Sequence, residues 1–271
     1  MNFGNRNNPE YSEKNHLNFY QAVDREKVYA AETDPLHHPF YSTLQRFIEK
    51  WDLYDKKCLE IGSAKGLFQD MVQHYTGVDV AENLSDYYHK KYVVIADARL
   101  PFPNESFEGI FTYATHEHIP DLETALQEIV RVLAPGGVCL FAPAWHTRPW
   151  FAEGYQVRPF SDLPLKGKLI KISISLRDFA LVRWPKVLLK RLLGLVLFAF
   201  DRGGRLRPLK YKKLKANYEV FWQSDSDACN SLDPFDVILW FRSRRIICHG
   251  YQNLLKALYV RTIALELQKP C

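Results

Sequence analysis

Residues 57–66, Lys-Cys-Leu-Glu-Ile-Gly-Ser-Ala-Lys-Gly, constrain the fold more than any other stretch of this chain. A short apolar run carrying an acid, Glu60, breaks into small residues at Gly62, Ser63, Ala64 and Gly66. That pattern reads as a strand whose C-terminal turn lets a ligand lie against the backbone where a helix begins. A second apolar run, Thr-Gly-Val-Asp-Val, places Asp79 where it can accept hydrogen bonds from the two hydroxyls of a ribose. Together the two runs predict a site for a nucleoside-bearing ligand.

Three kinds of nucleoside site share such a loop. A phosphate-binding loop needs a Gly-Lys-Ser/Thr step, and Lys65-Gly66-Leu67 does not supply it. A dinucleotide fingerprint spaces its glycines as G-x-G-x-x-G over a pyrophosphate. Here the small residues fall at 62, 64 and 66, one residue tighter, and nothing marks a pyrophosphate seat. The loop alone favours a methyl donor while leaving the dinucleotide open.

The following residues continue the pattern. Val-Val-Ile-Ala-Asp (93–97) reads as a third strand ending in an acid, and Leu-Pro-Phe-Pro-Asn-Glu-Ser-Phe-Glu (100–108) leads into a strand at 109–113. Glu-His-Ile-Pro-Asp (117–121) follows, then a helix over 122–133 closing in Arg-Val-Leu-Ala-Pro-Gly-Gly (131–137), and a strand at 138–143. This ordered string, about residues 56–145, resembles the class I S-adenosylmethionine (SAM)-dependent methyltransferases, in the small-molecule branch that includes quinone-biosynthesis enzymes. The resemblance implies an α/β fold, a doubly wound Rossmann-like seven-stranded sheet, with SAM as cofactor and S-adenosylhomocysteine as product. It places Glu60, Gly62, Ser63, Ala64 and Gly66 around the methionine part, and Asp79 on the ribose. Val80 would lie on the adenine, Asp97 and Ala98 at the adenine amino edge, and Thr112 and Tyr113 behind the fourth strand. Two residues depart from the family pattern: Ala64 stands for the usual central glycine, and Glu108 for the more common aspartate. The methyl of Ala64 is the one feature favouring a SAM-binding partner or sensor without catalysis.

The rest of the chain divides around this core. Residues 1–55 read as an N-terminal helical cover, with a mobile first dozen residues. Leu44, Phe47, Ile48 and Trp51 form an apolar stripe at helical spacing. Residues 56–146 form the SAM core, 147–231 an inserted acceptor-binding cap, and 232–271 a closing helix (234–242) and strand hairpin (246–249 and 262–268). Insertions at the C-terminal edge of such a sheet lie over the ligand crevice. The polar N-terminus has no apolar leader, and five cysteines without paired spacing suggest reduced thiols, so a cytoplasmic setting is expected.

Charge is concentrated in the cap. Residues 181–215 hold eleven Lys/Arg against the single acid Asp201, a net +10, whereas the whole chain is +5. Within it, 184–200 is the most apolar stretch. The plainer reading is a buried cap helix with a solvated basic flank. The second is an interfacial helix at an anionic membrane, a peripheral enzyme acting on a lipid-linked glycan or quinone-like acceptor. Basic residues with only Tyr211 and Tyr218 nearby argue poorly for nucleic acid. The sequence sets no oligomeric state.

Methyl transfer from a sulfonium is an in-line displacement, and holding the acceptor behind the methyl is worth up to about 7–11 kcal/mol. A hydroxyl acceptor gains about 10²–10⁴-fold from a general base. The candidates are His116, Glu117, His118 and His146, all expected beyond the fourth and fifth strands. His116-x-His118 without a third spaced ligand is weak evidence for a metal, and none is expected. Asp225, Asp227 and Asn230 read as helix-capping and turn residues, or as hydrogen-bonding groups for a polyhydroxylated acceptor. With no Asp/Asn-Pro-Pro-Tyr/Phe after the fourth strand, DNA-base amino methylation is disfavoured. The expectation is O-methylation of a small-molecule or sugar-containing secondary metabolite.

Overall fold

Alternating side chains in the central strands send every second residue to opposite faces, and each face finds its own helical cover. In the computed structural model, residues 16–21, 34–200 and 206–271 are described. Seven strands form one sheet in the order β3-β2-β1-β4-β5-β9-β8: β1 (Lys57–Ile61), β2 (His74–Asp79), β3 (Lys91–Val94), β4 (Phe107–Tyr113), β5 (Leu133–Ala142), β8 (Ile247–Cys248) and β9 (Leu265–Gln268). Strands β3-β2-β1-β4-β5 are parallel, and β9 is antiparallel to both β5 and β8. A two-stranded ribbon pairs β6 (Lys212–Lys213) with β7 (Asn230–Ser231).

On one face Leu59, Ile110, Cys139 and Phe141 pack with α2 (Leu122–Val132) and α5 (Pro234–Ser243). On the other, Cys58, Phe111, Val138 and Leu140 pack with Leu44, Phe47 and Ile48 of α1 (Tyr41–Lys50). Trp51, the fourth residue of the expected stripe, caps α1 at its C-terminus and is half-buried. Helix α5 is buried on every side, from Phe235 to Phe241. Asp233 caps it, accepting a hydrogen bond from the Phe235 N–H. The cap of this helix is thus Asp233, and not Asp225, Asp227 or Asn230.

Three local expectations change. The loop after β1 runs into a single 3₁₀ turn, Gln69–Met71, where a helix start was expected, and the β2–β3 crossover holds only the 3₁₀ helix Glu82–Tyr87. Residues 62–73 and 80–90 are at the lower limit of length for a parallel crossover, which leaves room for only a turn or two of helix. The third strand ends at Val94, before the expected Asp97.

The largest change is in the inserted segment. It folds into α3 (Leu165–Asp178) and α4 (Ala180–Phe200), the latter with Pro185 inside. The expected buried helix is not buried: on α4 only Arg191 and Gly194 are fully buried, while Leu188, Leu195 and Phe198 are half-buried against the core. Helix α5 already covers the sheet, so α4 needs only one narrow face against it. Gly194 faces Phe235 there, and the 1% exposed Arg191 bonds Asp233 and donates 2.7 Å to the Leu258 carbonyl. Lys190 pairs with Asp236 at 2.8 Å. The expected mobility of the first dozen residues, much of the N-terminal cover, and Asp201 lie outside the described residues.

Candidate functional site

The strand order reverses between β1 and β4, where a doubly wound sheet opens a crevice at its C-terminal edge. A cavity of about 340 Å³ occupies that point. Its first wall is the loop after β1. Gly62, Ala64 and Gly66 have φ of +71°, +44° and +67°, a left-handed conformation that favours small residues and accounts for their spacing. A Cβ on Gly62 would fall 2.1 Å from Thr115 Oγ1, so the close approach of this loop to the end of β4 requires glycine.

Two residues not singled out from the sequence hold that loop. The Tyr88 hydroxyl lies 2.7 Å from Ser63 Oγ and 2.8 Å from the Ala64 carbonyl. Thr115 Oγ1 lies 3.3 Å from the Ile61 carbonyl, where the loop leaves β1, and 2.8 Å from the Tyr113 carbonyl of β4. Nothing in the local pattern at 88 announces this role, because the partner loop arrives from another crossover.

Asp79 closes the second side. Its carboxylate accepts backbone N–H bonds from Ala64 at 2.9 Å and from Val80 at 2.7 Å, with Ala81 at 3.3 Å. Burial pushes its pKa up, and these bonds oppose that. A carboxylate has about four lone-pair positions, so one acceptor position remains for a ligand. Glu60, on the floor, accepts from the Tyr75 hydroxyl, and burial raises its pKa to about 8, leaving it neutral at pH 7.

The opposite wall is built from two distant segments. His118, after β4, meets Asp225 and Asp227, which precede β7. The Asp225–Asp227 segment is tied down because Cys229 and Asn230 donate backbone N–H bonds to the Glu117 carbonyl at 2.9 Å. Asn230 Nδ2 adds a 2.7 Å bond to the Ile119 carbonyl. His118 Nδ1 lies 3.2 Å from Asp227 Oδ2, and its Nε2 lies 3.7 Å from Glu117 and 3.9 Å from Asp225. Burial alone would lower the His118 pKa, but Asp227, Glu117 and Asp225 outweigh it and raise the value to about 10. His118 is therefore an imidazolium at neutral pH. Tyr20 also donates to Asp227, and Phe221 completes the wall.

Of the residues singled out from the sequence, the cavity gathers Glu60, Gly62, Ser63, Ala64, Asp79, Val80, Tyr113 and His118. Gly66 supports the loop from behind, where a Cβ would meet Tyr88. Asp97 turns away and accepts from the Arg99 N–H at 2.7 Å, and Ile95 lines the cavity instead of Asp97 or Ala98. Thr112 is buried beneath the wall, 3.2 Å from His116 Nδ1. His116 is fully buried against Phe141, and burial pulls its pKa down to about 3. Glu117, equally buried, is raised by burial to about 7 and lies behind His118. His146 lines a separate cleft with Arg183, Trp184 and Pro234, and burial lowers its pKa to about 4. The four candidate bases thus do not converge. Glu117, His118 and Asp225 offer ligand atoms within 4.8 Å of one another, and the same groups face each other as ion pairs at 3.7 and 3.9 Å.

Residues 59–141 match the family model described as a methyltransferase domain. The chain is 33% identical over 106 residues to a demethylmenaquinone methyltransferase of Desulfitobacterium hafniense, covering 35% of this chain and 42% of that protein. It is 31% identical over 230 residues to a sterol 24-C-methyltransferase of Gibberella zeae, covering 75% of this chain and 53% of that one. The chain thus spans about half, or less, of the length of these curated relatives. A solved SAM-dependent methyltransferase from Mesorhizobium loti aligns with TM-score 0.47 and 10% identity over 87% of this chain and 100% of that one. Residues 59–141 thus match a methyltransferase domain, and S-adenosylmethionine is the cofactor that this domain and its relatives point to.

Proposed function

We propose that this protein transfers a methyl group from SAM to a hydroxyl of a polar acceptor held between His118 and Asp225. The observation that carries this reading is the two-walled cavity at the strand-order reversal. One wall suits the cofactor: a left-handed small-residue loop, the free acceptor position on Asp79, and the buried Glu60 carboxyl beside the place of a ligand ammonium. When bound, SAM supplies an electrophilic methyl on a positive sulfur. The chain's task is to align the acceptor and exclude water.

The opposite wall supplies the acceptor chemistry. His118 is held protonated by its three acids, so it donates hydrogen bonds to the acceptor rather than taking a proton. Asp225, whose pKa is raised by burial, lines the cavity and receives the hydroxyl proton. Its φ of +62° turns it out of the segment, a strained placement found at binding sites.

Incubation of the purified protein with methyl-labelled SAM and fractionated host extract tests the reading. Label in an organic or aqueous small-molecule fraction supports transfer, and SAM binding with no labelled product in any fraction favours a non-catalytic binder. With the acceptor in hand, Asp225→Asn should lower kcat by about 10²-fold or more with little change in KM, the effect of losing a general base. Unchanged kcat removes Asp225 from the role.

A second reading, a lipid-carried acceptor, is favoured by the solvent-facing apolar sides of α3 and α4. The relatives named for menaquinone and sterol methylation, and a fatty-acid O-methyltransferase of Mycolicibacterium smegmatis, support it by analogy of acceptor class.

A further inference from the structure

Helices α3 and α4 turn an apolar stripe each toward solvent. On α3, Leu165, Leu169, Ile172 and Leu176 recur at spacings of four and three, which puts them on one side of the helix, and they are 61–75% exposed. On α4, Leu189, Leu193, Val196, Leu197 and Phe200 do the same at 48–77%. Scattered exposed apolar residues are ordinary on a folded surface, but two consecutive helices with continuous stripes are not. The inner side of α4 is fixed to the core through Arg191 and Gly194, so the outward side is not a packing error of a loose helix.

Charge identifies what covers these stripes. Residues 165–200 contain eight Lys/Arg and one acid, Asp178, a balance of +7, and Asp178 is engaged by Arg148 at 2.8 Å. Lys166, Arg177 and Lys186 are exposed on these helices, and Lys210 and Lys212 are exposed just beyond them. A second copy meeting this face would set one such excess against another. An anionic bilayer complements both features, with apolar side chains at the acyl boundary and bases at the phosphates. Among the described residues no helix is long and apolar enough to cross a membrane, and α4 is interrupted by Pro185, Lys186 and Lys190, as expected of a helix lying in the interface.

We propose that helices α3 and α4 dock this protein onto an anionic phospholipid surface. The proposal stands on the surface of these two helices and is independent of the assignment of roles within the cavity.

Sedimentation of the full chain with mixed phosphatidylcholine–phosphatidylglycerol vesicles tests it. The protein is expected to pellet with these vesicles, to stay in solution with phosphatidylcholine alone, and to be released as salt is raised. Lys166→Glu/Lys186→Glu should weaken binding about 25-fold or more, at about fivefold for each base removed from the surface. Leu169→Glu/Leu193→Glu should abolish pelleting while the unfolding transition and SAM binding stay as in the parent, since both side chains lie outside the core. Failure of the parent to pellet overturns the proposal, as does pelleting of the leucine variant at the parent's level. So does a parent that ignores vesicles but forms a dimer that the leucine variant dissociates, because a second copy then covers the stripes.

Discussion

Replacing Arg191 by methionine should cost this protein more stability than any surface change. The guanidinium is 1% exposed, bonds Asp233 through Nε and Nη2 at 3.0–3.3 Å, and donates to the Leu258 and Val260 carbonyls at 2.7 and 3.3 Å. Removing one member of a buried pair leaves the other charge without compensation, which costs about 3–5 kcal/mol. Asp233 would keep its bond to the Phe235 N–H and the 4.0 Å approach of His146 Nδ1 but no permanent cation, so about 4 kcal/mol is expected for Arg191→Met. Asp233→Asn preserves the cap geometry and the carbonyl bonds of Arg191 and should cost about 2 kcal/mol. The double variant removes both charges together and should lose only about 3 kcal/mol, because a buried pair contributes little net stability. The coupling is then about 3 kcal/mol, at the upper end for residues in direct contact. Urea unfolding followed by far-ultraviolet circular dichroism measures all four proteins. Arg191→Met alone should lower the melting temperature by roughly 10 °C. A coupling below about 0.5 kcal/mol would falsify the claim that this pair fastens α4 to α5.

Other outcomes follow from the site. Gly62→Ala should abolish SAM binding measured by calorimetry and destabilise the fold by more than about 2 kcal/mol, from left-handed backbone strain plus the collision with Thr115. Gly250→Ala, with φ +79° and nothing within 4 Å of its Cβ, is the control and should cost only about 1 kcal/mol. SAM binding should release a proton below pH 8: Glu60 is neutral there in the free protein because burial raises its pKa, and a bound ammonium favours its ionised form. Calorimetry in buffers of differing ionisation enthalpy reads this directly, and zero release at pH 6.5 contradicts it. Its neighbouring acids raise the pKa of His118 from the ordinary 6.5 to about 10, so its contribution to stability is full below pH 6.5 and is lost as pH rises through 10. Asp227→Asn removes the largest raising influence and should move that loss to lower pH, visible in the NMR titration of the ring. An unmoved titration would show that Asp227 does not hold the proton on His118.

What was legible in the sequence followed from rules that act locally. The spacing of Gly62, Ala64 and Gly66 could be recognised because left-handed backbone leaves few residue types to choose from. The strands β4 and β5 were readable as short apolar runs because both faces of the sheet are covered. The acceptor wall was not readable in the same way. Glu117 and Cys229, which bring its two halves together, lie 112 residues apart, and nothing in either segment names the other. The candidate histidines separate for a similar reason: neighbours in sequence around the end of β4 point into different environments, so His116 enters the core while His118 reaches the cavity. The apolar run of α4 looks identical whether its outward side meets protein or solvent. Only the discovery that α5 already occupies the space beneath it distinguishes the two.

The short segment from Asp225 to Asp233 has a consequence for engineering. It passes from the cavity acids, through the bonds of Cys229 and Asn230 to the loop after β4, to the carboxylate that receives Arg191 from α4. The inserted region is therefore stitched to the sheet on both sides of any cut near residue 231. A chimera that exchanges 147–231 with another methyltransferase would retain Asp233 and lose Arg191, stranding an anion in the interior. A transplant that keeps the donor's specificity and still folds must carry the graft through α5, treating 147–243 as the smallest exchangeable unit.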